Sequence, residues 1–174
     1  MPLKSESLPE VEHPELHRVA TEEGLTQGTV NSLLQDRQGF LWLATEGGIS
    51  RYDGYRVLNY QGETRQLDDK IVYSLYQDSR GDLLIGTESH GLYRLDPDNG
   101  SLERIMVHYF DSEPDLPQEV DVIIEDEKGN LWMGLYEDVL YFDTNSGESA
   151  VRFSLTEEEK AAAEAIRAMS YVDG

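Results

Sequence analysis

From residue 30 onward, short apolar runs alternate with polar, glycine-bearing turns, and the whole alternation then repeats. Residues 36–54 read DRQGFLWLATEGGISRYDG, residues 78–96 read DSRGDLLIGTESHGLYRLD, and residues 126–143 read DEKGNLWMGLYEDVLYFD. Aligned on Gly39, Gly81 and Gly129, the three units show the same succession. An apolar strand (30–36, 72–78, 120–126) runs into Asp-x-x-Gly, followed by a second apolar run (FLWLAT, LLIGT, LWMGL) and a polar turn (EGG, ESHG, YED). A third strand (ISRYD, LYRLD, VLYFD) and a fourth (YRVLNY, SLERIMVHY, SAVRFSL) complete each unit. Apolar runs this short, bounded by Gly, Asp and Asn, predict strands rather than helices.

Four short strands recurring every ~40–50 residues are the mark of a β-propeller blade. The expected fold is all-β: a partial propeller with three complete four-stranded antiparallel blades, at about 30–60, 72–109 and 120–155. Residues 156–159, TEEE, form a capping box ahead of the helix-forming KAAAEAIRAM, which predicts a short helix from 157 to about 165 in an inter-blade link. Beyond it, residues 166–174 resemble VNSLLQDRQG and are expected to begin a fourth, incomplete blade. Residues 16–19 precede the first unit as a fourth strand precedes the next blade, so the propeller fragment is expected to cover 16–174. The proline- and glutamate-rich residues 1–15 are expected to be disordered.

The repeated residues have assignable structural duties. The carboxylates of Asp36, Asp78 and Asp126 can accept turn amides, while Gly39, Gly81 and Gly129 take a left-handed position. The second strand is apolar on both faces because blades stack on one another. Within it Trp42 and Trp132 supply bulk where the middle repeat has Leu84. Ala44, Gly86 and Gly134 are small where neighbouring backbones approach. Tyr52, Tyr93 and Tyr141, on the third strand, are expected in the blade-to-blade core.

Composition narrows the function classes. With 14 Lys+Arg against 35 Asp+Glu among 174 residues, the net charge is -21, which repels phosphate backbones and argues against a nucleic-acid partner. Cysteine is absent, which removes disulfides, thiolate metal sites and cysteine nucleophiles. No apolar run approaches the roughly 18 residues needed to span a bilayer, and the N-terminal residues lack the apolar stretch of an export signal. His13, His17, His90 and His108 do not share metal-ligand spacing, so no metal and no cofactor is expected. DPDNG at 96–100 reads as a hairpin turn rather than a calcium loop. The turns also resemble the Asp-box of sialidases, but Arg51 and Arg94 give way to Tyr141 in the third repeat, which leaves no arginine cluster.

GLTQGTVNSLLQDRQGFLWLATEGGISRYDGYRV, from Gly24 to Val57, resembles the two-component regulator propeller repeat. That repeat has a Gly-Leu link, Val-x-x-Ile/Leu-x-x-Asp, Gly-x-Leu-Trp-x-Gly-Thr and Gly-Leu-x-Arg-Tyr/Phe-Asp. The second unit departs at Leu84, and the third at Leu135-Tyr136-Glu137. The resemblance implies a non-enzymatic, periplasmic sensor or interaction module from a membrane-bound signalling protein whose output is a histidine kinase or a diguanylate cyclase. The alternative is a fragment of a propeller enzyme such as a polysaccharide or streptogramin lyase, yet no catalytic residues can be assembled.

Candidate binding residues lie in the loops where first strands start, because loops from successive blades converge there. Glu46, Glu88, His90, Tyr136 and Glu137 change type from unit to unit while the framework does not. The expected partner is a small molecule, an oligosaccharide or a protein, and uncovered blade faces predict self-association.

Overall fold

The computed structural model describes residues 19, 21–60, 66–68, 70–107, 119–135, 138–154 and 156. After one 3-10 turn at Thr21–Glu23, all regular structure among these residues is β. The first sheet comprises β1 (Val30–Gln35), β2 (Leu41–Thr45), β3 (Gly48–Tyr52) and β4 (Val57–Tyr60). The second holds β5 (Val72–Gln77), β6 (Leu83–Thr87), β7 (Leu92–Leu95) and β8 (Leu102–Ile105). The third holds β9 (Val122–Glu125), β10 (Leu131–Gly134), β11 (Asp138–Phe142) and β12 (Ser149–Ser154). Each sheet is an antiparallel meander in chain order, and the three are blades of a propeller. The predicted helix at 157–165, the strand at 166–174, residues 16–18 and the segment 1–15 lie outside the described residues.

The Asp-x-x-Gly turn is built three times from the same bonds. Asp36 Oδ1 accepts the amides of Gln38 and Phe40, both at 2.9 Å. Asp78 Oδ1 accepts those of Arg80 and Asp82 at 3.0 and 2.9 Å, and Asp126 Oδ1 those of Lys128 and Asn130 at 2.9 and 3.0 Å. Gly39, Gly81 and Gly129 follow with φ of 93°, 101° and 83°, a conformation in which only glycine is unstrained. In the first blade the second carboxylate oxygen accepts the Trp42 indole N–H at 2.7 Å, and Trp132 hydrogen-bonds Asp126 likewise. Leu84 cannot donate, and there Asp78 Oδ2 takes the Arg80 guanidinium at 3.3 Å instead.

The core lies between the blades. Trp42, Ala44 and Ile49 of the first pack on Val72, Leu83, Ile85, Tyr93 and Leu95 of the second. Leu84 and Leu92, on the opposite face of that second blade, pack on Val120, Ile123, Leu131, Met133, Leu140 and Phe142. Every residue of β6 is buried, as a strand covered on both faces must be. Gly86 has no room for a side chain: a Cβ there would run into the Ser74 hydroxyl and the Val120 carbonyl.

Two expectations need correction. Trp42 is fully buried but Trp132 is only half-buried, because no described element lies on its side of the third blade. On that same side Val122 and Ile124 are each 54% exposed. The tyrosines are not one repeated core position: Tyr52 pairs with Leu41, Tyr93 with Ile85 and Tyr141 with Trp132. Tyr93 is buried between blades, whereas Tyr52 and Tyr141 are half-buried.

Candidate functional site

The meander puts the Asp-x-x-Gly turns at one end of every blade and the β2–β3, β6–β7 and β10–β11 connections at the other. At this second end, threonines close two of the connections. Thr45 Oγ1 donates to the Gly48 carbonyl at 2.9 Å, accepts the Gly47 amide at 3.1 Å and lies 2.8 Å from Thr26 Oγ1. Thr87 Oγ1 donates to the Gly91 carbonyl at 2.8 Å and accepts the His90 amide at 3.0 Å. Gly48, at φ 108°, sits where a Cβ would be 2.8 Å from the Leu67 carbonyl oxygen, so the hairpin is pressed against the link to the second blade. Leu67 itself is fully buried in the first inter-blade core.

Between hairpin and links lies an open groove of about 280 Å³. It is lined by Thr26 and Gln27 from the first link, Glu46 and Gly47 from the hairpin, Ile49, Asn59 and Tyr60 from the outer strands, and Asp68 from the second link. Asn59 Oδ1 accepts the Ser50 hydroxyl at 3.0 Å, which fixes the amide's orientation. Tyr60 rests on Trp42 with ring centroids 5.6 Å apart, so the groove's aromatic residue is anchored on the blade core. A second cleft, of about 20 Å³, lies between the next two blades among Leu92, Ile105, Met106, Val120 and Met133. It has room for about one water.

Of the five residues singled out in the sequence, Glu46 lines the groove, while Glu88 and His90 lie on the second blade's hairpin. Tyr136 and Glu137 lie outside the described residues. The Tyr73 hydroxyl donates to Glu88 Oε1 at 3.1 Å. Its pKa is pushed up to about 12, first by burial, then by that hydrogen bond and by the negative fields of Glu88, Glu119 and Asp121. His90 has Nδ1 3.1 Å from the Ser89 hydroxyl. Its pKa is held below the usual histidine value by burial and by Lys70 and Arg104, with Glu88 opposing. Among the described residues no group of three or more His, Cys, Asp or Glu side chains could hold a metal ion. No helix among them is long and apolar enough to cross a membrane.

Sequence reasoning placed Gln27 in a candidate loop, residues 26–31 ahead of the first strand, but did not single out Asn59, Tyr60 or Asp68. Asn59 and Tyr60 read as an ordinary fourth strand, and Gln27 and Asp68 sit in links whose course only the packed blades define. One signal was available. Tyr60 ends its strand with an aromatic residue where the paired register of the second blade has Ile105, each opposite the first core residue of a third strand.

Residues 24–47 and 66–89 match the family described as "Two component regulator propeller". No curated protein matches the chain in sequence. Among solved structures, it is similar to the extracellular domain assigned to the hybrid two component system BT3049 from B. thetaiotaomicron. The identity is 25%, the TM-score 0.66, and the match covers 79% of this chain and 20% of that one. The extracellular domain assigned to the one component system BT4673 of the same organism matches at 20% identity and a TM-score of 0.63, over 76% of this chain and 18% of that one. Virginiamycin B lyase from Staphylococcus aureus matches at 15% identity and a TM-score of 0.54, over 72% of this chain and 41% of that one. These last two likenesses are of fold alone. The chain spans about a fifth of the length of the two extracellular domains.

Proposed function

Two units of this chain are two-component regulator propeller repeats, and from that premise we propose that it is part of the extracytoplasmic sensor of a membrane-bound bacterial signalling protein. The observation that carries the reading is the family match together with the 25% identity to an extracellular domain of a hybrid two-component system. In this reading the hairpin end of the blades receives a ligand, and the stack of blades passes the change to an output domain in the cytoplasm, a histidine kinase or a diguanylate cyclase. The location is the periplasm, and the propeller itself performs no chemistry.

The test uses the native full-length protein in its own cell. Deleting residues 24–154 should abolish inducible output, measured as transcription or as cyclic dinucleotide level, while the membrane-bound protein is still made. Undiminished induction would overturn the sensor reading. The lyase alternative has a separate check. Incubation of the chain with virginiamycin B or uronate-containing polysaccharide, followed by mass spectrometry, should yield no cleaved product.

A further inference from the structure

The turn between β7 and β8 carries a reaction of its own. The chain has five asparagines, and Asn99 alone precedes a glycine; the others precede Ser32, Tyr60, Leu131 and Ser146. An asparagine loses its side-chain amide when the next backbone nitrogen attacks its Cγ, and a side chain on that next residue obstructs the approach. Gly100 presents none. Asn99 stands exposed at the tip of its turn. Its Oδ1 accepts the Ser101 amide at 2.7 Å, which sets a donor on the oxygen where negative charge develops during attack. The Gly100 N–H donates to the Asp96 carbonyl at 2.9 Å, so the attack waits on local opening of this exposed turn.

The β11–β12 turn has the same frame without the reactive pair. Gly147 donates its amide to the Asp143 carbonyl at 2.9 Å, and Gly100 and Gly147 have φ of 80° and 75°. There Ser146 holds the place of Asn99, and its hydroxyl oxygen accepts the Glu148 amide at 3.2 Å. The frame needs an acceptor at this position, not an amide. We propose that Asn99-Gly100 is a site of spontaneous deamidation, through which the seam between the first two blades ages. Hydroxide takes the Gly100 amide proton and the nitrogen bonds to Asn99 Cγ. The Cγ–Nδ2 bond breaks, and ammonia leaves with a proton returned by water. A second water opens the cyclic imide to aspartate or isoaspartate. Asn99 Nδ2 donates to Asp96 Oδ2 at 2.6 Å, so the product sets a carboxylate against a carboxylate. Isoaspartate also adds a methylene to the backbone of the turn. That turn abuts the first blade: Gln38 Nε2 donates to Asp98 Oδ1 at 2.7 Å, and the Tyr60 hydroxyl lies 2.7 Å from where a Cβ on Gly100 would sit. Conversion therefore loosens the first seam at its turn end.

The test is ageing of the full 174-residue chain in warm, mildly alkaline buffer, followed by peptide mass spectrometry that separates aspartate from isoaspartate. Asn99 should convert about tenfold or more faster than Asn145, and faster again in the urea-unfolded chain, where the turn is open. The rate should rise with pH, because the attacking nitrogen must first lose its proton. The aged protein and Asn99→Asp should both unfold at lower urea concentration than the fresh protein. Asn99→Ser, which copies the third blade's turn, should keep its midpoint through the same ageing. Conversion at Asn99 no faster than at Asn145, or conversion confined to the unfolded chain, would overturn the site. An unchanged midpoint in both the aged protein and Asn99→Asp would overturn its effect on the seam.

Discussion

The framework tryptophans show how one sequence signal acquires two energetic meanings. Trp42 and Trp132 occupy the same place in their repeats, and each hydrogen-bonds the turn aspartate of its own blade. Burial separates them. Trp42 is covered by the second blade, whereas Trp132 keeps a solvent-facing side against which Tyr141 packs edge-on at 5.1 Å. Trp42→Ala should therefore cost about 3–5 kcal/mol and Trp132→Ala distinctly less, read as urea unfolding midpoints. Equal losses would mean that the third blade's outer side is covered in solution. Arginine behaves with the same dependence on neighbours. Arg51 stands over the Phe40 and Trp42 rings at 4.5 and 5.7 Å, but its counterpart Arg94 faces Asp82 at 3.7 Å and Glu103 at 3.3 Å. Where the second repeat exchanges aromatic residues for Asp82 and Leu84, the arginine is retained and its interaction changes from ring to carboxylate.

At the scale of the element, the turns and strands were legible because their chemistry is local. Asp-x-x-Gly states its own hydrogen bonds, and alternation along each strand states its faces. The groove was not legible, because Thr26, Asn59 and Asp68 meet only after a hairpin, an outer strand and two links have packed. The buried Leu67 shows the same limit, being a link residue with no strand periodicity around it. The turns also predict a pH response. Turn amides hold the carboxyls of Asp126, Asp143 and Asp53 below the usual aspartate value of 3.8. A depressed folded-state pKa contributes stability that is present above the unfolded value and lost as pH falls through the folded one. Asp82 opposes them: burial and the neighbouring Asp78 raise its pKa, so its contribution is present at low pH and disappears as pH rises. With three turns against one carboxyl, the urea midpoint should fall as pH drops below about 4, and Asp126→Asn should flatten part of that fall. A midpoint that rises on acidification would refute it.

Across the whole molecule, the blades are tied at both ends. At the turn end, Arg37 donates to the Asp78 and Ser79 carbonyls at 2.9 and 3.1 Å, and Ser79 donates its amide and hydroxyl to Glu125, both at 2.7 Å. At the hairpin end, Asn31 donates to the Val72 carbonyl and Ser74 to that of Val120, both at 2.9 Å. Stability in such arrays comes from nearest-neighbour seams. The second blade has described neighbours on both faces, so amides of β6 should exchange with deuterium more slowly than those of β2 or β10. Fastest protection loss in β6 would contradict the stacking energetics.

The two seams are nevertheless spaced by different shims. Between the first and second blades Ala44 fits with its methyl group, but between the second and third Gly86 admits nothing larger than hydrogen. Gly86→Ala should cost about 1–3 kcal/mol through overpacking, and it should also wedge the second seam open. A wedge changes the angle by which one blade follows another, and in a ring those angles must add up to one full circle. The missing side chain at position 86 therefore bears on curvature: one methyl group there would redirect every blade that comes after it.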